Sequence, residues 1–458
     1  MYPRLKSFVP PIVLLLGITC LLLHGCDHGE ESTEAANTQI VDKAESVPKD
    51  TAEPKTVTLP EPKLLLQEPV PLSIYEVPSQ ALLQWYEVRS LKPALLIYAN
   101  NPMLQTSPFF RIEDLLQPLA DANPEPLRYS TTNPAVMPAM TLHAALEAGL
   151  FSAVYWIMPT KAEITDLSVE AFQKQMLLNS ALRVEESQSL TLQDGVFSGT
   201  VRGVPFHAVH PDVDFTISGP AVFHFDLGYL AALYKGEIKT QVFAMIYQTL
   251  KHLRDRNIET VSASFSYSQE TREVALGSRF IAPVFKKLFE QPQLLDEQPP
   301  EAWKQRAEAL YLPNMFLVSG GLKIYLQMLE NDPEDPSLHY ALFELSRESK
   351  STHKAVLFHL AEAVKRDPVY ALEYISLVHL ALKENRPDEA LRMLHLAHEA
   401  LPDNPFITFE LARALMAENQ KDQAVSLLQT LLAETWSETF YSEMPERLDQ
   451  FLEKAREE

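Results

Sequence analysis

Glycine is scarce, 13 of 458 residues, and no stretch reads GxGxxG or GxxxxGK[ST]. Neither a dinucleotide fingerprint nor a phosphate-cradling loop is therefore available, and no nucleotide partner or cofactor is expected. Basic residues are also in the minority: 39 Lys+Arg face 61 Asp+Glu, a formal net charge of −22. Phosphate neutralisation needs a basic face, so no nucleic-acid partner is expected either. Only two cysteines occur, Cys20 and Cys26, which leaves no room for a disulfide framework. Neither HExxH nor CxxC is present, so no tightly spaced zinc-ligand set exists. What remains is a chain with 46% hydrophobic residues, enough for about two or three cores.

The first twenty-five residues read as an export signal. Arg4 and Lys6 precede an apolar run from Phe8 to Leu23, broken by Pro10, Pro11, Gly17 and Thr19, too short and too interrupted for a permanent span. The run ends at Leu23-His24-Gly25-Cys26, which resembles the bacterial lipobox. The resemblance implies cleavage behind Gly25, acylation of Cys26, and a lipid anchor at the extracytoplasmic, periplasmic face of the cell membrane. Asp27 stands where such lipoproteins carry an inner-membrane retention residue, an implication that applies to a diderm cell.

Residues 26–72 read as the acylated cysteine and an acidic, proline-punctuated linker, expected to be disordered. From Asp27 to Val70 there is no aromatic residue, too little apolar surface to offset ordering entropy.

Residues 73–298 alternate short apolar runs with helical patterns. Strands are expected at Ala94–Tyr98, Ala153–Met158, Ala221–Phe225 and Glu259–Tyr267. Helices are expected at Leu142–Leu150, Val169–Leu182, Lys239–Arg256 and Arg279–Glu290. This order predicts an α/β domain with a mostly parallel sheet covered by helices on both faces. Val196–Val209, turning at Arg202-Gly203, reads as an inserted β-hairpin, weakened by Pro205. Sites in such sheets form beyond the carboxyl ends of the strands, which singles out Asn100, Asn101, Pro159, Thr160, Lys161, Asp226, Gly228, Ser266 and Ser268. His210, Asp212 and Asp214 lie close by in sequence and, with His224 and Asp226, offer metal-ligand and acid–base candidates. The run Val261 to Ser268 places four serines on one face of a strand, either lining a polar cleft or packing closely against a helix.

At Phe223-His224-Phe225-Asp226-Leu227-Gly228 the order of elements resembles the arginase and deacetylase superfamily. There, carboxylates and histidine after the strands hold catalytic metals in patterns such as DxDxxDP. Asp226 matches the first of those carboxylates; Gly228 replaces the next, and Asn100-Asn101 stands where other ligands belong. The resemblance thus implies a degenerate site that has lost its metals.

In the carboxy-terminal third, Pro333, Pro368 and Pro402, Tyr340 and Tyr374, and Ala390 and Ala424 recur at spacings of about 34. This period with helical patterning resembles the tetratricopeptide repeat, two antiparallel helices per unit. An all-α solenoid is expected over 299–436, with a capping helix in 437–458. The resemblance implies a protein partner held on the concave face. Two functions therefore stand open: a membrane-anchored, non-catalytic adaptor, or a metal-dependent hydrolase using His210, Asp212, Asp214, His224 and Asp226.

Overall fold

The computed structural model describes residues 59–128, 130–234, 241–268, 276–348 and 353–457. Cys26, Asp27 and most of the expected tether lie outside them. The described chain begins with β1 (Lys63–Leu64) and β2 (Leu72–Tyr75), followed by α1 (Ala81–Glu87), β3 (Ala94–Tyr98), α2 (Ile112–Ala120), α3 (Thr141–Glu147), β4 (Ala153–Ile157), α4 (Val169–Leu178) and α5 (Val184–Gln188). Then come β5 (Thr191–Gln193), β6 (Val196–Val201), β7 (Val204–Val209), β8 (Ala221–Asp226), α6 (Gly228–Tyr234), α7 (Val242–Asp255), β9 (Glu259–Ser266) and α8 (Ile281–Glu290).

The strands form one mixed sheet in the order β1-β9-β8-β3-β4-β7-β6-β5, with β2 also paired to β9. Five pairings are parallel (β2 with β9, β9 with β8, β8 with β3, β3 with β4, β4 with β7), and the pairings at the two ends are antiparallel. Central β3 and β8 are buried along their whole lengths, so they read as continuous apolar runs rather than as alternation. On one face Leu95, Ile97, Val154 and Val222 pack under Trp85 of α1 and Phe172 of α4. On the other, Phe223, Phe225 and Phe265 pack against Ile246 and Leu250 of α7 and Phe285 of α8, with the Phe225 and Phe285 rings 4.5 Å apart.

Three expectations are corrected. Residues 59–72 are not part of a disordered linker: Leu65, Leu66 and Val70 are buried, because the Leu64-Leu65-Leu66 run supplies a sheet edge with core side chains. The 196–209 hairpin is no insertion either, since β7 pairs in parallel with β4 from Phe206 onward. Pro205 lies just before that pairing starts, so its missing N–H forfeits no ladder bond. Arg202 and Gly203, at φ 48° and 77°, form the two-residue turn with both central residues left-handed that matches strand twist. Finally, the helix expected to reach Leu182 stops at Leu178, where Ser180 takes φ 53°.

The remaining helices are α9 (Glu301–Tyr311), α10 (Val318–Asn331), α11 (Pro336–Glu348), α12 (His353–Arg366), α13 (Leu372–Lys383), α14 (Pro387–Ala400), α15 (Pro405–Ala417), α16 (Lys421–Ala433) and α17 (Met444–Glu457). The α11–α12 pair and the four helices α13 to α16 keep the 34-residue register. Small residues fill the helix contacts: Ala363, Ala390, Ala397, Ala412 and Ala424 are fully or almost fully buried, letting neighbouring axes approach. In the divergent first hairpin Gly321 does this work, for a Cβ there would lie 3.1 Å from the Ala309 carbonyl oxygen.

Candidate functional site

The strand alternation that buries Phe223, Phe225 and Phe265 on one face turns His224, Ser264 and Ser266 to the other. There β8 and β9 lie in register, His224 beside Ser264 and Asp226 beside Ser266. The His224 ring is fully buried, its edge against Trp85 at 5.3 Å. Its Nδ1 lies 2.9 Å from Ser264 Oγ and its Nε2 3.1 Å from Ser266 Oγ. Ser266 Oγ donates in turn to Asp226 Oδ2 at 2.6 Å. A hydroxyl that gives its proton to the carboxylate can only accept from the ring, so the network assigns Nε2 as the protonated nitrogen. Burial pushes the His224 pKa down to about 3, keeping the ring neutral.

Asp226 is nearly as buried. Its Oδ1 accepts the Gly228 N–H at 3.0 Å, and the Ser268 hydroxyl is a further partner. Burial raises its pKa to about 6 against the pull of the Ser266, Ser268 and Gly228 donors. A Cβ at Gly228 would lie 2.8 Å from Asp226 Oδ1 and 2.8 Å from Ser268 Oγ. A side chain there, where the arginase and deacetylase pattern places a second carboxylate, would have to displace both of those groups. Of the four serines, Ser262, Ser264 and Ser266 are buried in the sheet beneath α1, where Gln84 Nε2 donates to the Ala263 carbonyl at 3.3 Å, while Ser268 lies past the end of β9 and is half-buried.

The other candidates lie apart. His210 follows β7, three strand spacings or about 14 Å along the sheet from β8. Its ring is committed locally: Nε2 meets the Ala162 carbonyl at 2.8 Å, and Nδ1 accepts the Asp212 N–H at 3.2 Å. Beyond it the backbone alternates, sending Val213, Phe215 and Ile217 onto the sheet and leaving Asp212 and Asp214 exposed. Arg256, at the end of α7, pins this segment by donating to the Pro211 and Val213 carbonyls and to the Tyr98 hydroxyl. The five candidates thus separate into a buried His224–Asp226 pair, a His210–Asp212 turn, and a solvated Asp214. Among the described residues no group of three or more His, Cys, Asp or Glu side chains could hold a metal ion.

The helical region touches the α/β body at both of its ends. At the first, Trp303 of α9 stacks on Phe243 at 5.8 Å, and Leu276 enters the core formed by Tyr340, Phe343 and Tyr370. Arg279 lies across this junction, donating to both Glu76 oxygens at 2.8 and 2.7 Å and to Asp367 at 3.3 Å, its guanidinium 3.9 Å above the Tyr267 ring. At the other end the segment between α16 and α17 returns to the body. The Ser437 N–H donates to the Thr132 carbonyl at 3.0 Å, the Thr439 hydroxyl to the Phe109 carbonyl at 3.4 Å, and Phe440 packs against the first core. Sequence reading missed this closure, because its polar donors meet backbone carbonyls that carry no residue signature. Between the two ends, α13 leaves His379, Leu380, Leu382 and Lys383 exposed.

The tetratricopeptide repeat family model matches residues 381–435, from the end of α13 through α16. Solved structures similar to the chain include MamA, at 15% identity over 34% of this chain and 90% of that one with a TM-score of 0.22. Another is TTC0263, a thermophilic TPR protein in Thermus thermophilus, at 20% identity over 40% of this chain and 95% of that one with a TM-score of 0.20. No curated protein matches the chain. The carboxy-terminal helical stretch of this protein contains a tetratricopeptide repeat at residues 381–435.

Proposed function

We propose that this protein is a lipid-anchored adaptor of the cell envelope. Cys26, acylated after cleavage behind Gly25, holds it to a membrane, and the stacked hairpins bind a protein partner on their concave face. Asp27 favours the inner membrane where the cell has two. The observation that carries the reading is the series of hairpins in 34-residue register, with the family match inside it. Repeats of this kind stack into extended surfaces suited to a peptide or a partner domain. In this reading the α/β body serves as a second binding or structural module. Its buried histidine and carboxylate satisfy one another through serine hydroxyls, and the remaining acid–base candidates are dispersed.

Two measurements in the native host test this. Mass spectrometry of the mature amino-terminal peptide should show a diacylglyceryl-modified Cys26; a free thiol there refutes the anchor. A photo-crosslinking residue placed at His379 or Leu382 should trap one defined protein, while the same residue at exposed Gln429 on α16 should not. Equal labelling from all three positions, or none from any, refutes the adaptor role.

A further inference from the structure

The turn between α9 and α10 carries the densest exposed apolar surface of the described residues. Leu310, Tyr311, Met315, Phe316 and Leu317 are 36%, 40%, 50%, 93% and 54% exposed. Phe316 adopts φ 62°, a left-handed conformation unfavourable for a bulky side chain, and the chain thereby projects its ring into solvent instead of folding it back. No residue between Glu308 and Lys323 is charged, in a chain where 22% of residues are. The polar groups that do occur there, the Tyr311 hydroxyl, Asn314 and Ser319, are neutral.

From this we infer that the α9–α10 turn dips into the headgroup boundary of the membrane that holds the chain, an inference that rests on the anchoring proposed above. The occupant is a lipid surface for three reasons. Only about thirty residues separate Cys26 from Leu59, and a chain of that length spans at most about 110 Å however it is arranged, so an anchored body stays beside the bilayer. One lipid-modified residue gives affinity but no orientation, and a second apolar contact supplies it. Aromatic and aliphatic side chains mixed with neutral hydrogen-bonding groups are what the headgroup boundary accommodates. Lacking Lys and Arg, the turn draws nothing from anionic lipid, so zwitterionic phosphatidylcholine suffices.

The test uses the full-length acylated chain in phosphatidylcholine vesicles. The mature chain's only native thiol is then blocked at Cys26, so a fluorophore can be placed through Phe316→Cys or, as control, through Phe358→Cys on α12, whose side chain is 57% exposed. Brominated acyl chains should quench the label at 316 and leave that at 358 unaffected. Leu317→Asp should lower the ratio of quenched to unquenched label at least about tenfold, the loss of one apolar contact. If the chain floats with the vesicles and the label at 316 is unquenched, the inference is wrong and the anchor stands. If Cys26 is unmodified and the chain does not float, the anchor is wrong, and quenching at 316 by added vesicles alone decides the turn. If Phe316→Asp instead converts a dimer to a monomer in sedimentation, the occupant is a second copy and the inference is overturned.

Discussion

His224 and Asp226 are joined through a single hydroxyl, that of Ser266, which sits 3.1 Å from the imidazole Nε2 and 2.6 Å from the carboxylate Oδ2. The two side chains follow one another on the same strand face, yet their shared partner comes from a strand 40 residues later. Ser266→Ala should leave a buried N–H and a buried carboxylate oxygen short of a partner each. A loss of about 2–3 kcal/mol is expected, measured as a shift of the urea midpoint with unchanged slope.

The same pair gives a signed pH dependence. Asp226 has a folded pKa of about 6 against an ordinary 3.8, so its contribution is full below pH 3.8 and falls away as pH rises toward 6. His224, at about 3 against an ordinary 6.5, contributes fully above pH 6.5 and loses that as pH falls toward 3. Between about pH 4 and 6 the two slopes oppose and cancel, one proton each way. Asp226→Asn removes the first slope. The variant should be more stable than the parent at pH 7, by a margin that shrinks to nothing near pH 4, and its own stability should fall steadily below pH 6.5. Chemical denaturation across pH 4–7.5 reads this directly; a parallel pair of curves would refute it.

Arg279 is 7% exposed and gathers Glu76, Asp367 and Tyr267 around one planar group. Lysine cannot reproduce a fork to two carboxylate oxygens while stacking on a ring. With the partners' side chains 40% and 31% exposed, Arg279→Lys should cost about 2 kcal/mol. It should also loosen the helical region from the α/β body, so that calorimetry resolves two transitions where the parent shows one.

Phe440 closes the other end of the helical arch. Phe440→Ala should cost about 2 kcal/mol for a half-buried ring and release the Ser437 amide. Hydrogen exchange should accelerate at Ser437 while the amides of α13 and α14 keep their protection. Unchanged exchange at Ser437 would show that the closure does not depend on the ring.

Between α11 and α12, His339 Nδ1 and His359 Nδ1 lie 3.4 Å apart, an arrangement that requires at least one bare nitrogen. Burial first, then Arg366 for His339 and His339 itself for His359, lower both pKa values below 6.5, partly opposed by Glu362 and Asp335. The pair's contribution is therefore present above pH 6.5 and fades as pH drops. His359→Gln should flatten the acid-side loss of stability, and NMR titration of the two rings checks the sign.

Much of the architecture was legible. β3 begins and ends as its apolar run does, and the prolines and small residues of the 34-residue period fall at the helix ends and contacts where they were expected. The candidate site was legible only in part. Asp226 was found at the end of its strand, but the closeness of His210, Asp212 and Asp214 in sequence was misleading, because the His210 ring turns inward onto the Ala162 carbonyl while the two carboxylates stay in solvent. Leu64-Leu65-Leu66 was absorbed into a linker, since three leucines in an acidic, proline-rich stretch do not announce which strand they will edge.

The sequence alone determined the helical period, the buried strands and the residues around Cys26, because local spacing and side-chain size carry those directly. Tertiary structure decided that His224 and Asp226 would be spent on serines of a neighbouring strand, that Arg279 and Phe440 would hold the helical arch at both ends, and that Phe316 would stand in solvent. Each of these depends on which distant segments the folded backbone brings within a few ångströms, and strand order and helix packing set that distance where sequence separation does not.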